Sequence, residues 1–440
     1  MHKLFENSGW LLLDKLSKLF PGIIVLALIA RHLGPQEFGI WNYGLALTLI
    51  VGSLAMMGTD KMAVKEFIHQ EQREDVIVNT LVGMRLVAGL VCMLISMAFV
   101  LLTKRNNPLY FYCTLFSSMN VVLQSFDVLD YFYQVKHTVK QVILPKVTVF
   151  LLFCLIKLAV IFLDGTLLAF LWVSLLELVV TYAVIMIRYR RSLPAIRKLR
   201  IDLVLAGTLL TEGWPLIFSN LVVVLLVKVD LVLLDVLASP AQVGEYVSAA
   251  KISELWYALP TVISVAMLPG LMTKQNSDRK AYVEMVEKWL RLSFWTSVAI
   301  AAGVMCTAPV AVPFLYGSRY AAASHILMIH IWASVPVFLN AVFVQYMFIE
   351  GQYKMYLYSN VAGLIVNVVV NLALIPVMGG VGAAIATVVA YATVSGILML
   401  LDKTGQLPVF TRRMFSPVLV LDDLRQLSGS FRLFTGQFFT

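Results

Sequence analysis

Twelve stretches of mostly apolar residues run through this 440-residue chain, near 10–30, 40–58, 81–103, 109–131, 141–163, 167–187, 214–237, 246–272, 292–312, 326–348, 355–378 and 381–401. Each is about 20 residues long, the length at which an α-helix crosses a hydrocarbon layer of about 30 Å. Lipid offers the backbone no hydrogen-bond partners, so a crossing segment must be a helix or join a closed barrel. A barrel would show short alternating segments instead of continuous apolar runs. Composition agrees: 60% of residues are hydrophobic, 13% are charged, and mean hydropathy is +0.86. These values exclude a disordered chain, a coiled coil and a disulfide-stapled secreted domain. The expected fold is an all-α polytopic membrane protein.

Cations orient the spans. Of 34 Lys and Arg, 23 fall at the N-terminus, in every second loop or in the tail; four (Arg31, Lys104, Arg105 and Arg319) fall on the other side, and seven lie within spans. The positive-inside rule then places both termini in the cytoplasm. This placement also accounts for the net charge of +9, so no nucleic-acid partner is expected. Asp14, Lys15 and Lys18 interrupt the first run, which lacks a small-residue cleavage site and is expected to stay as the first span. Cys92, Cys113, Cys154 and Cys306 lie in apolar stretches without CxxC spacing and read as buried thiols. No His-Glu-x-x-His pattern or nucleotide-cradling glycine loop is present, and the loops are too short for a soluble catalytic domain. Neither an enzyme nor a cofactor is expected.

A weak repeat recurs at an offset of about 204 residues. Gly9-Trp10 corresponds to Gly213-Trp214, and Pro35-x-x-x-Gly39-x-Trp41 to Pro240-x-x-x-Gly244-x-Tyr246. The charged segment 59–78 has a counterpart at 273–291. An offset of six spans preserves orientation, giving parallel repeats related by an axis along the membrane normal. The expected organisation is a six-helix bundle over 1–187, a basic cytoplasmic linker over 188–213, a second bundle over 214–401 and a cytoplasmic tail over 402–440. Two such bundles would face each other across a central cavity.

Arg31-His32-Leu33-Gly34-Pro35-Gln36-Glu37-Phe38-Gly39 resembles the signature that follows the first span of Wzx-type flippases, which belong to the multidrug/oligosaccharidyl-lipid/polysaccharide superfamily. Phe126-Asp127 to Tyr131-Phe132, Trp214-Pro215-Leu216 with Ser219-Asn220 and Asp230, Gly244 to Pro260, and Asn367 to Ala386 are similar too. Trp41 and Lys228 depart from the residue types expected there. The resemblance covers residues 5–401. It implies alternating-access transfer of an undecaprenyl-pyrophosphate-linked oligosaccharide from the cytoplasmic to the periplasmic face, with a lateral opening for the lipid tail beside spans 1 and 8. A polymerase and a chain-length regulator of the same pathway are the implied partners.

Charges inside spans are costly, so each needs a partner, water or a route to the interface. Arg85, a turn from the cytoplasmic end of span 3, can snorkel. Asp14 and Lys18 are spaced to pair, and Lys251 with Glu254 forms either a structural pair or a gate. On span 7, Asn220, Lys228 and Asp235 fall within an arc of about 80°, a cavity-facing stripe, whereas Asp230 points about 160° from Lys228 toward a neighbouring helix. Lys146 and Lys157 share a face of span 5 about 16 Å apart, which suits a diphosphate. Alternatively Lys146 snorkels and Lys157 faces Glu177 or Asp127. Asn360, Asn367 and Asn371 line one side of span 11, for sugar hydroxyls or for inter-helix hydrogen bonds. Gly379-Gly380-x-Gly382 permits close packing of spans 11 and 12.

The substrate-binding candidates are therefore Lys228, Lys157, Lys146, Lys15, Lys18, Asn220 and Asn367. Candidates for gating or for coupling to protons or sodium are Asp14, Asp127, Glu177, Asp230, Lys251 and Glu254. A cation-coupled multidrug exporter of the same superfamily is the second reading, weakened by a cavity that offers bases. A membrane-embedded polysaccharide polymerase is the third, weakened by the short loops.

Overall fold

The computed structural model describes residues 2–56, 58–69, 73–192 and 200–415. Among them the chain is helical, with no strand. The helices are α1 (His2–Leu33), α2 (Pro35–Ala55), α3 (Thr59–His69), α4 (Glu74–Thr103), α5 (Pro108–Leu123), α6 (Val128–Val135), α7 (Lys140–Phe162), α8 (Leu167–Ser192) and α9 (Leu203–Leu237). They continue with α10 (Pro240–Leu255), α11 (Ala258–Ser277), α12 (Arg279–Tyr316), α13 (Ala321–His330), α14 (Ser334–Ile349), α15 (Tyr353–Met378), α16 (Gly380–Leu401) and α17 (Gln406–Met414). Among the described residues ten helical stretches have the length and apolarity to cross a bilayer, two fewer than the runs in the sequence. The fourth run is split by a 3-10 turn at Gln124–Asp127, so neither α5 nor α6 reaches spanning length alone. The first run lies in α1, where the Lys15 side chain is outside the described residues.

By internal contacts the chain forms one unit from Met1–Ser248 with Pro313–Ala321, and a second from Ala249–Val312 with Ala322–Thr440. In the first, local chemistry sets the helix starts. Asn107 caps α5 by accepting from the Leu109 amide at 3.0 Å, and Pro108 follows at the first helical position. Asp202 caps α9 by accepting from Val204 and Leu205 at 3.0 and 3.1 Å. Met62 and Phe67 of α3, Ile77 and Leu81 of α4, Leu129 and Phe132 of α6, and Ile185 and Tyr189 of α8 close into one apolar core. Two glycines admit close backbone approaches. A Cβ on Gly39 would lie 1.7 Å from the Pro240 carbonyl oxygen, and one on Gly244 would lie 2.0 Å from that of Pro35.

In the second unit α15 and α16 form a tight hairpin: a Cβ on Gly382 would lie 2.6 Å from the Leu374 carbonyl oxygen, as the glycine cluster predicts. The opening turns of α12, Arg279 to Arg291, carry the charged segment expected at 273–291. α17 packs on them, with Leu407, Phe410 and Met414 buried, Trp295 donating to the Met414 carbonyl at 3.0 Å and Arg413 paired with Glu287 at 2.9 Å. The start of the expected tail is therefore folded. Residues 416–440 of the tail and 193–199 of the basic linker lie outside the described residues.

Candidate functional site

The polar groups of the first unit gather at three levels. Where the 3-10 turn breaks the fourth run, Asp127 ends the turn and Asp130 follows in α6. Lys146 of α7 reaches both, at 3.1 Å to Asp127 Oδ1 and 2.5 Å to Asp130 Oδ2. Tyr182 of α8 donates to Asp127 Oδ1 at 3.0 Å and lies with its ring centroid 5.8 Å from the Lys146 Nζ. Two carboxylates thus share one ammonium. Arg85 is buried, 1% exposed, with its guanidinium carbon 5.8 Å from the centre of the Tyr131 ring. The expected snorkelling is not what the chain does: the guanidinium is buried beside Tyr131. Lys146 does not snorkel either; carboxylates within reach outcompete the interface.

Lys157 pairs with Glu177 of α8 at 2.6 Å, with side chains only 14% and 16% exposed. Glu177 is one of the two partners expected of Lys157, but the snorkelling of Lys146 expected alongside it is not seen. With Lys146 and Lys157 both bound to carboxylates, the line of free charge suited to a diphosphate is absent in this conformation.

On α9, Lys228 and Asn220 are half-buried. Asp230 is buried and accepts from the Tyr246 hydroxyl of α10 at 3.0 Å, the neighbour-helix role expected of it. Asp235 departs from the expected stripe. Its carboxylate is ion-paired with Lys104 and accepts from Tyr110 at 2.5 Å. The Lys104 ammonium lies 5.5 Å from the Tyr43 ring centre and 5.0 Å from that of Tyr110, the two rings meeting edge to face. Helical spacing put Asp235 beside Lys228, but α2 and α5 pack against that face of the helix end.

The remaining candidates are local. Asp14 and Lys18 pair at 2.6 Å, and Lys251 and Glu254 at 3.6 Å. Asn367 is 0% exposed and accepts from Asn371 at 3.0 Å. It therefore presents no surface to a sugar in this state, and its bond to Asn371, like that of Asn360 to the Tyr356 carbonyl, lies within α15. Cys306 is exposed on α12, unlike the other three cysteines, because its face of the helix is one that lipid would cover. Among the described residues no group of three or more His, Cys, Asp and Glu side chains is placed to hold a metal ion. Asp130, Lys104, Tyr110 and Tyr43 are the site residues that sequence reasoning missed. Two signals were present: Asp130 lies one helical turn after Asp127, and Lys104 and Asp235 end spans on the same expected side.

This all-helical arrangement is the fold of the MOP superfamily transporters. A lipid II flippase MurJ structure in an inward closed conformation aligns at a TM-score of 0.73 and 13% identity, over 96% of this chain and 93% of that one. An inward-facing multidrug resistance MATE family transporter of the MOP superfamily aligns at 0.68 and 14%, over 91% and 96%. A MOP superfamily transporter from Pyrococcus furiosus aligns at 0.55 and 13%, over 90% and 96%. No curated protein matches the chain by sequence. The family model for polysaccharide biosynthesis proteins matches residues 4–275, and the chain belongs to that family. It is a multi-pass membrane protein.

Proposed function

We propose that the protein is a flippase that carries polyprenyl-diphosphate-linked oligosaccharide repeat units from the cytoplasmic to the periplasmic face of a bacterial inner membrane. Membership of the polysaccharide biosynthesis family is the observation that carries this reading, and the fold shared with a lipid II flippase supports it. The charge bias of the loops supports cytoplasmic termini. In this reading the lipid tail stays in the bilayer while the head group crosses between the two repeats. Lys228, half-buried midway along α9, is the cation proposed to meet the diphosphate. Asp127 and Asp130 around Lys146 are the proposed coupling site, where proton or sodium binding would balance the second carboxylate.

A second reading, a cation-coupled multidrug exporter, draws on the MATE relatives and on those two carboxylates. The argument that this chain offers bases where an exporter needs acids loses force, because Lys18, Lys146, Lys157 and Lys251 are each paired with a carboxylate. A deletion strain separates the readings. The flippase reading requires lipid-linked repeat units to accumulate on the cytoplasmic face, with export restored by the intact gene. Normal polymer export together with hypersensitivity to cationic drugs would reject it.

A further inference from the structure

We propose that Lys104 and Asp235, with Tyr43 and Tyr110, form an outer clamp that must open before cargo leaves, which makes them gating residues of transport. The proposal rests on the flippase reading for its cargo, but not for its geometry. Lys104 directly follows α4 and Asp235 lies in the last turn of α9, so the pair ties the end of the first span of the second repeat to the first repeat. The Asp235 side chain is 0% exposed and holds two donors at once, the ammonium and the Tyr110 hydroxyl. Two tyrosine faces complete the enclosure of the ammonium. The four groups come from α2, the α4 terminus, α5 and α9, so these helices cannot part at this end without breaking the clamp.

The other end of α9 is held differently. Arg73 pairs with Asp202 at 2.6 Å and Lys65 with Glu212 at 3.4 Å, each cation 54% exposed. Exposed pairs are screened by water and exchange readily, whereas parting a buried pair strands charge in a low-dielectric setting. The asymmetry gives transport an order: the inner end of α9 loosens first, and the outer end yields only when Asp235 loses Lys104.

The test uses the full-length protein, its native cysteines replaced, with spin labels at Asn106→Cys and Ala238→Cys. Both positions are exposed and flank the clamp. The intact clamp should give one narrow distance distribution. Asp235→Asn and Lys104→Gln should each raise the share of a longer distance about tenfold, and Arg73→Gln should not. Tyr110→Phe keeps the ion pair and should give a smaller shift. Exchanging the charges, as Lys104→Asp with Asp235→Lys, should restore the short distance and carries the test if the single variants fold poorly. An unchanged distribution in Asp235→Asn, or in the Tyr110→Phe variant should the single-charge variants not fold, overturns the clamp. No cargo is present in the measurement, so its outcome is independent of whether the flippase reading holds.

Discussion

Gly39 packs against the carbonyl of Pro240 as Gly244 packs against the carbonyl of Pro35, a reciprocal contact between two copies of the same Pro-x-x-x-Gly pattern. Contacts of this kind arise where a two-fold axis relates two copies of one surface, because residue i then meets j and j meets i. Both glycines are required by space. At 1.7 and 2.0 Å an added methyl would overlap a backbone oxygen that cannot rotate away. Gly39→Ala and Gly244→Ala should each force the helices apart and cost about 1–3 kcal/mol, read as a lowered unfolding temperature in detergent. Equal stability of either variant would show that the approach is looser than described.

The Lys157–Glu177 pair makes a prediction about stability alone. Breaking a largely buried pair from one side leaves an uncompensated charge, at a cost of about 3–5 kcal/mol. Lys157→Met and Glu177→Gln should each lower the yield of folded protein, and the double variant should recover most of it. A double variant as unstable as the sum of the singles would remove coupling between them.

Much of this was legible in the sequence, and what was not shares one cause. Apolar runs, caps such as Asn107-Pro108 and short-range pairs such as Asp14–Lys18 follow from local chemistry, so spacing alone finds them. Partners on different helices follow from packing. Lys146 was visible as an intramembrane cation, but its hold on Asp130 depends on the 3-10 turn that rotates α6 relative to α5. Asp235 shares an arc with Lys228, yet which side of α9 faces a cavity is decided by where α2 and α5 lie. Arg85 reads as a snorkelling residue from its depth, whereas its burial beside Tyr131 depends on how the helices pack.

The coupling proposal predicts a separation of folding from driving force. Asp127→Asn or Asp130→Asn leaves Lys146 one carboxylate, so the fold should persist. Stimulation of transport by an imposed proton or sodium gradient should fall about tenfold, while exchange without a gradient continues. Full stimulation in both variants would place coupling elsewhere.

Asp202 predicts a pH effect at the start of α9. The Leu205 amide and the Arg73 guanidinium hold its carboxyl below the usual carboxylate range. A depressed carboxyl stabilises the folded state above its unfolded-state value, and that contribution is lost as pH falls through the folded-state value. Hydrogen-exchange protection of Val204 and Leu205 should therefore weaken only below about pH 4. Asp202→Asn keeps an acceptor without the charge and should show no such acid step. An acid step of equal size in that variant would assign the effect to another group.

Cargo transfer by the purified protein tests the central claim most directly. Reconstituted into liposomes with a polyprenyl-diphosphate oligosaccharide, the intact protein should move the glycan to the opposite leaflet, read by its access to an external glycosidase. Lys228→Ala, folded to the same level, should slow this about tenfold or more, and Lys228→Arg should retain part of the rate because charge survives with altered donor geometry. Glycan transfer no faster than in protein-free liposomes, from protein shown to be folded, would contradict the flippase account.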